Sequence, residues 1–103
     1  MERTRTYCPA QITLEVIGGP WKVPILFHLA RRTLRFGELR HLLGRITPRM
    51  LTQQLRALER DGIVRRKVYL QVPPKVEYSL TLRGKTLLPI VSAMCRWARG
   101  RKC

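Results

Sequence analysis

The sequence predicts an α+β domain that is mainly helical, and three observations support this class. Apolar residues recur with helical spacing over most of the 103 residues. The spacing changes to a period of two only between residues 64 and 80, which indicates a short hairpin. Hydrophobic residues make up 45% and charged residues 26% of the chain, as in folded domains. A chain of this length has room for one core, so we expect one domain over residues 1–103.

The chain begins with a basic arm over residues 1–7, and two short helices follow. Pro9 lies just inside the start of the first helix, and Gly18 lies just past its end. Pro24 is tolerated only in the first turn of a helix, so the second helix is expected to start at residue 21 or 22. This helix is expected to run to Ala30.

Two helices separated by a tight turn are expected over residues 36–61. Apolar residues of the first helix repeat until Gly44, and they are Phe36, Leu39, Leu42 and Leu43. Thr47 is then a good N-cap, and Pro48 is preferred at the first helical position. The second helix has a stripe formed by Leu51, Leu55 and Leu58. This order of elements is typical of a helix-turn-helix.

A hairpin is expected over residues 63–80, directly after the helix-turn-helix, where it would form the two- or three-stranded sheet of a wing. Its strands are predicted from the alternation of Val64, Val68 and Leu70, and then of Val76, Tyr78 and Leu80. Residues 71–75 are expected to form a stiff basic tip. Thr81 is predicted to cap a last helix over residues 81–99, kinked or interrupted at Pro89.

The charge balance indicates a polyanionic partner. Lys and Arg number 21 against 6 Asp and Glu, so the net charge is +15. Repulsion at this charge opposes compaction, and binding to a nucleic acid offsets it. No apolar run approaches the roughly 18 residues of a membrane span, and the N-terminus has no signal peptide pattern. We therefore expect a cytoplasmic protein without a membrane partner.

No group of residues in the sequence indicates catalysis or a cofactor. The chain lacks a carboxylate pair, an evident Cys–His pair and a glycine-rich phosphate loop. Its three cysteines, Cys8, Cys95 and Cys103, are an odd number without CxxC spacing, which argues against a disulfide scaffold and a zinc site. We expect no enzyme activity, no metal and no cofactor.

The exposed side of the second helix of the motif carries residue types that read base edges. Arg bonds guanine, Gln bonds adenine, and Thr contacts the thymine methyl group. The predicted DNA-reading residues are Arg49, Thr52, Gln53 and Arg56. A merely solvated surface would more often mix Glu and Lys, whereas Glu59 and Asp61 lie only at the far end. Double-stranded DNA is therefore the expected partner, and sequence-specific regulation of transcription is the expected function.

A structural protein that binds nucleic acids without reading sequence is the alternative. It explains the charge equally well but does not explain the Arg, Thr and Gln surface. In the preferred interpretation, further contacts are expected from Thr47 at the helix start and from Arg40, whose helix crosses the DNA backbone. Gln71 and Lys75 at the hairpin tip are expected to contact phosphates or a minor groove.

A homodimer on a palindromic site is expected, because one small domain reads only a few base pairs. The first and last helices are the predicted dimerisation helices, with interface residues Ile12, Val16, Leu87, Val91, Met94 and Trp97. The alternative is that these apolar residues simply complete the core of one chain.

Two interpretations of Cys8 stay open from its local sequence. Cys8 precedes Pro9 at a helix start, where partial positive charge and the nearby Arg3 and Arg5 favour the nucleophilic thiolate. The other interpretation is an inert, half-buried cysteine.

The chain resembles the HxlR-type winged helix-turn-helix transcriptional regulators of bacteria and archaea, relatives of the MarR group. The resemblance runs from Cys8 to Trp97 and is carried by CPAQITLEVIGGPWKVPILFHL, RFGELRHLLGRITPRMLTQQLRALERDGIVRR and VPPKVEYSLTLRGKTLLPIV. It implies a homodimer that binds operator DNA. It also implies that Cys8, at the position of the family's N-terminal cysteine, senses electrophiles or oxidants. No role for Cys95 or Cys103 is implied.

Overall fold

The computed structural model describes residues 8–99, in which six helices surround a three-stranded antiparallel sheet. The helices are α1 (Pro9–Ile17), α2 (Lys22–Arg31), α3 (Phe36–Leu43), α4 (Pro48–Arg60), α5 (Leu82–Lys85) and α6 (Leu88–Arg99). The strands are β1 (Leu34–Arg35), β2 (Val64–Tyr69) and β3 (Lys75–Leu80), in the order β1-β3-β2. The mainly helical α+β class is confirmed.

Local signals define the helix boundaries, as the sequence predicts. Pro9 begins α1, and α2 begins at Lys22 with Pro24 in its first turn. Gly44 ends α3 with φ 83°, a left-handed conformation that glycine adopts without strain. The hydroxyl of Thr47 accepts a hydrogen bond of 3.1 Å from the backbone N–H of Met50, which caps α4.

The core lies between α2, α4 and the sheet. Leu51, Leu55 and Leu58 are buried on one side of α4, where they meet buried residues of α2 and the sheet, namely Ile25, Leu26, Leu29, Leu34, Val64 and Leu80. This packing leaves the opposite side of α4 in solvent and fixes its orientation.

Three elements differ from the prediction. The short strand β1 is absent from the sequence interpretation, because two residues are too few to show alternation. Leu70 lies beyond β2, and Lys75 is the first residue of β3 rather than part of the tip. The segment 81–99 forms two helices with a turn at residues 86 and 87, so the interruption lies just before Pro89.

A cluster of hydrogen bonds joins the end of α4 to the start of α5. The hydroxyl of Thr81 donates to the carbonyl oxygens of Gly62 at 2.6 Å and Ile63 at 3.2 Å. The same hydroxyl accepts from the backbone N–H of Gly84 at 2.9 Å, which caps α5. A Cβ at Gly84 would lie 2.2 Å from the carbonyl oxygen of Ile63, so only glycine allows this close approach. We call these four residues the Thr81 junction.

Candidate nucleic-acid interface

The side of α4 opposite the leucine stripe presents the residues predicted to read DNA. Arg49, Gln53 and Arg56 are exposed, and Thr52 is half-buried beside them. Thr47, also exposed, caps the helix, so its hydroxyl is already an acceptor for Met50. The structure therefore brings five of the eight predicted DNA-binding residues onto one helix and its N-cap.

Arg49 and Arg56 on this surface are not paired with a carboxylate in the described structure. In the part of the chain that the structure describes, ion pairs join Arg32 to Glu38 and Lys75 to Glu77, and neither involves α4. The carboxylate of Glu38 is further occupied by the backbone N–H of Arg35 at 2.8 Å. Arg49 and Arg56 are therefore free to bond an anion or a base edge.

A concave basic surface lies between α4 and the sheet. It is lined by Thr52, Leu55, Arg56, Glu59, Arg60, Arg66 and Tyr78. Three guanidinium groups outnumber the one carboxylate, so the surface attracts phosphate. The sequence prediction placed Arg66 only within a basic run. The alternation of side chains along β2 could have placed Arg66 at this surface, because Arg66 lies on the same face of the strand as the buried Val64.

Arg40 is less free than the sequence suggests. Its Nε donates to the backbone carbonyl of Ile46 at 3.3 Å, across the turn of the helix-turn-helix. Ile46 is buried, so this bond helps to hold the turn closed. The remaining guanidinium nitrogens of Arg40, an exposed residue, can still donate to a phosphate.

Lys75 is held against the wing sheet instead of extending from its tip. Its Nζ lies 3.6 Å from a carboxylate oxygen of Glu77 and 4.4 Å from the ring centre of Tyr69. Lys67 lies over the same ring at 4.9 Å. The strand register puts Tyr69 opposite Lys75 and Lys67 opposite Glu77. The sequence placed Lys75 at the tip, which is wrong because strand pairing continues to that residue.

The wing tip is formed by residues 70–74, all of them exposed. Gln71 lies there, as predicted. Leu70 is 97% exposed and Val72 is 98% exposed, so two aliphatic side chains stand in solvent without packing. This apolar tip is a feature that the sequence prediction missed.

The predicted dimer residues divide into two groups. Leu87 and Val91 are buried in the core, so they are not available to a partner chain. Ile12 and Val16 are half-buried, whereas Met94 and Trp97 are exposed, Trp97 by 90%. Four of the predicted interface residues come from the predicted last helix, and for two of them, Leu87 and Val91, the alternative that they complete the core is correct. Leu14, Ile90 and Leu82 are further exposed apolar residues.

Cys8 is the N-cap residue of α1 and is exposed, which contradicts the half-buried alternative. Its carbonyl accepts a hydrogen bond of 2.8 Å from the N–H of Gln11, and its side chain makes no capping bond. The Sγ atom is therefore accessible at a helix N-terminus. The basic arm over residues 1–7, with Arg3 and Arg5, and Cys103 lie outside the described residues.

The arrangement of a helix-turn-helix, a basic second helix and a hairpin wing defines a winged helix-turn-helix DNA-binding protein. Within residues 8–99, no helix is long and apolar enough to cross a membrane, and no three His, Cys, Asp or Glu side chains are grouped to hold a metal ion.

Comparison with known proteins gives the family. The model of the HxlR-like helix-turn-helix family matches residues 16–102, so the chain belongs to this family. The chain is 55% identical over 95 residues to YdeP of Bacillus subtilis (strain 168), an uncharacterized HTH-type transcriptional regulator, covering 92% of this chain and 74% of YdeP. A regulator so described from the archaeon Methanothermobacter thermautotrophicus is 45% identical over 92 residues, covering 89% of this chain and 70% of that protein.

Solved structures agree with this assignment. The redox regulator HypR in its oxidized form has a TM-score of 0.84 at 54% identity, covering 93% of this chain and 99% of that chain. Its reduced form has a TM-score of 0.86 at 55% identity, covering 90% and 92%. The predicted winged helix-turn-helix fold and family are confirmed, and the protein is a DNA-binding transcriptional regulator.

Proposed function

We propose that this regulator binds a palindromic operator as a homodimer, with α4 of each protomer in the major groove. The observation that carries the proposal is the exposed side of α4, where Arg49, Gln53 and Arg56 lie without carboxylate partners in the described structure. The buried leucine stripe holds this side outward at a fixed angle. A helix so held can present several side chains to base edges at once.

The contacts divide by role along the surface. Arg49, Thr52, Gln53 and Arg56 read bases, and Thr47 at the helix start adds a contact to the backbone. Arg40, Arg60 and Arg66 bind phosphates on either side of the groove. Gln71 is available for DNA at the wing tip, whereas Lys75 acts mainly within the wing, because Glu77 already neutralises it.

Selection of duplexes from a random pool, followed by footprinting, tests this function. We expect one enriched palindrome, protected over two half-sites about 34–36 Å apart. Uniform coating of any duplex, with no enriched sequence, would instead support a structural nucleic-acid-binding protein. That result would contradict the assignment of α4 as a base-reading helix.

The homodimer is supported by apolar surface that one chain leaves uncovered. Ile90, Met94 and Trp97 recur at i, i+4 and i+7 on α6 and are exposed, and Leu14 on α1 is 52% exposed. Sedimentation at micromolar concentration should give twice the chain mass of 12.1 kDa. Trp97→Ala should shift the equilibrium toward single chains, and a wild-type mass of one chain would exclude the dimer.

The proposal includes a thiol response at Cys8. Two observations support it: the thiol is exposed at the start of α1, and HypR, a redox regulator, is 54% identical to this chain. An adduct or disulfide at α1 would alter a helix that we assign to the dimer surface. Because the duplex fixes the half-site spacing, a small rotation of one protomer is enough to change affinity.

A DNA-binding titration with diamide or a quinone tests the thiol response. We expect wild type to change its affinity for the selected duplex and Cys8→Ser to be insensitive. Equal responses from both proteins would exclude Cys8 as the sensing residue. No response from either protein would exclude thiol sensing and leave DNA binding intact.

A further inference from the structure

A cavity of about 460 Å³ lies between the end of α2, strand β1 and helix α3. It is lined by His28, Arg31, Arg32, Leu34 and Leu42, none of which belongs to α4 or the wing. Its volume is within the range of small-molecule sites in proteins. Neither the proposed DNA contacts nor the apolar surface assigned to the dimer includes any of these residues. We call this space the α2–α3 cavity.

The wall that α2 gives to the α2–α3 cavity is cationic. His28, Arg31 and Arg32 are spaced at i, i+3 and i+4, so they share one side of the helix end. No carboxylate is among the described residues that line the cavity. Within residues 8–99, Arg31 has no ion pair, and Arg32 reaches the carboxylate of Glu38 only at 3.9 Å. Both guanidinium groups can therefore donate hydrogen bonds to an anion.

The remaining walls of the cavity are aliphatic. Leu34 of β1 is buried, whereas Leu42 of α3 is 48% exposed although it lies beside the cationic wall. Favourable interaction with the carbonyl end of α2 explains the basic residues there. It does not explain an aliphatic side chain left uncovered next to them. Cationic and aliphatic walls in one cavity suit a ligand that has both an anionic group and an apolar body.

We propose that the α2–α3 cavity binds a small organic carboxylate with an aliphatic body of several carbons. The carboxylate oxygens accept hydrogen bonds from the guanidinium groups of Arg31 and Arg32. The hydrocarbon body lies against Leu42 and removes its exposed atoms from water. A small inorganic anion lacks the second interaction, and a neutral compound lacks the first. The site does not depend on the proposed operator binding, since it shares no residue with that interface.

Titration of the whole chain with sodium hexanoate, followed by backbone amide shifts in NMR at constant ionic strength, tests the site. Acetate, which lacks four methylene groups, and hexanamide, which lacks the charge, are the matched probes. We expect hexanoate to bind at least about tenfold more tightly than either compound. The largest shifts should fall on residues 28–42 and not on α4 or α6. Equal affinities for hexanoate and acetate, or shifts centred outside the cavity, would overturn the proposal.

Two substitutions each remove one of the proposed interactions. Arg31→Gln removes a charged donor and should weaken hexanoate binding about tenfold. Leu42→Gln removes the aliphatic contact and should weaken hexanoate binding by about as much, while acetate binding stays unchanged. Both residues are exposed, so the amide spectra of the variants should show the wild-type fold. Wild-type affinity for hexanoate in both variants would overturn the proposal.

Arg65→Gln is the matched control for Arg31→Gln. It removes the same charge from an exposed residue of β2, which lies at the opposite edge of the sheet from β1. We expect this variant to bind hexanoate as tightly as wild type does. Equal weakening by Arg65→Gln and Arg31→Gln would overturn the proposal, because it would show that the net charge of the chain alone attracts the anion.

Discussion

Helix α4 and the wing carry similar numbers of basic side chains but use them differently. On α4, the arginines of the exposed side have no carboxylate partner in the described structure, and the leucine stripe beneath them is buried. On the wing, Lys75 pairs with Glu77 and shares the ring of Tyr69 with Lys67. Basic residues in a sequence therefore show the charge of a surface, whereas packing decides which of these charges are available to DNA.

The largest expected effect comes from removing the support of α4. Leu55→Ala leaves a cavity under the helix and should lower the free energy of unfolding by about 2–5 kcal/mol. Urea unfolding followed by circular dichroism measures this change. Gln53→Ala, on the exposed side of the same helix, should change stability by less than about 0.5 kcal/mol. Similar losses for both variants would contradict the two-sided description of α4.

Loss of a base contact should have the next largest effect. Arg49→Ala and Arg56→Ala should each weaken binding to the selected duplex by about 1–3 kcal/mol and relax the preference at particular base pairs. Titrations against single-base variants of the duplex measure both quantities. If affinity and base preference are unchanged in both variants, α4 is not the reading helix.

The N-cap of α4 should contribute less. Thr47→Ala removes the acceptor for the Met50 N–H and should cost about 1 kcal/mol of stability. Thr47→Ser retains a hydroxyl and should recover most of the loss in thermal unfolding. A variant with alanine that is as stable as wild type would show that water replaces the cap.

The smallest expected effect concerns the paired lysine of the wing. Arg66→Ala should reduce the salt slope of DNA binding by about one unit, as for a lost phosphate contact. Lys75→Ala should reduce it by clearly less, because Glu77 already neutralises Lys75. Titrations over a range of salt concentrations compare the two variants. Equal slopes would mean that DNA displaces Glu77 from Lys75, and the contrast between helix and wing would then fail.

Most of the fold was predictable because its signals are local. The cap at Thr47, the glycine at the end of α3 and the leucine stripe of α4 each depend on residues within a few positions of one another. Strand β1 was not predictable, since its two residues are defined only by pairing with Tyr78 and Glu77 far along the chain. The burial of Leu87 and Val91 was not predictable either, because it depends on packing against core residues far along the chain.

The candidate interface, too, was predictable only where the signals in the sequence are local. The position of the four predicted residues on one side of α4 follows from helical spacing alone, and the structure has three of them exposed and Thr52 half-buried. The position of Lys75 was predicted wrongly because its ion pair with Glu77 and its contact with the Tyr69 ring depend on strand pairing, which the sequence pattern does not show. The exposure of Leu70 depends on where strand pairing ends. The alternation of apolar residues predicts a strand that includes Leu70, whereas β2 ends one residue earlier.

The Thr81 junction has a consequence for how a signal reaches DNA. The Thr81 hydroxyl attaches the start of α5 to the residues that connect α4 with β2, and Gly84 approaches the Ile63 carbonyl too closely for any side chain. We therefore expect a displacement of α5 to be transmitted through these hydrogen bonds to α4 and to the wing. We expect an allosteric change in this regulator to leave the geometry within each protomer intact. In the homodimer that we propose, the quantity that changes is then the distance between the α4 helices of the two protomers.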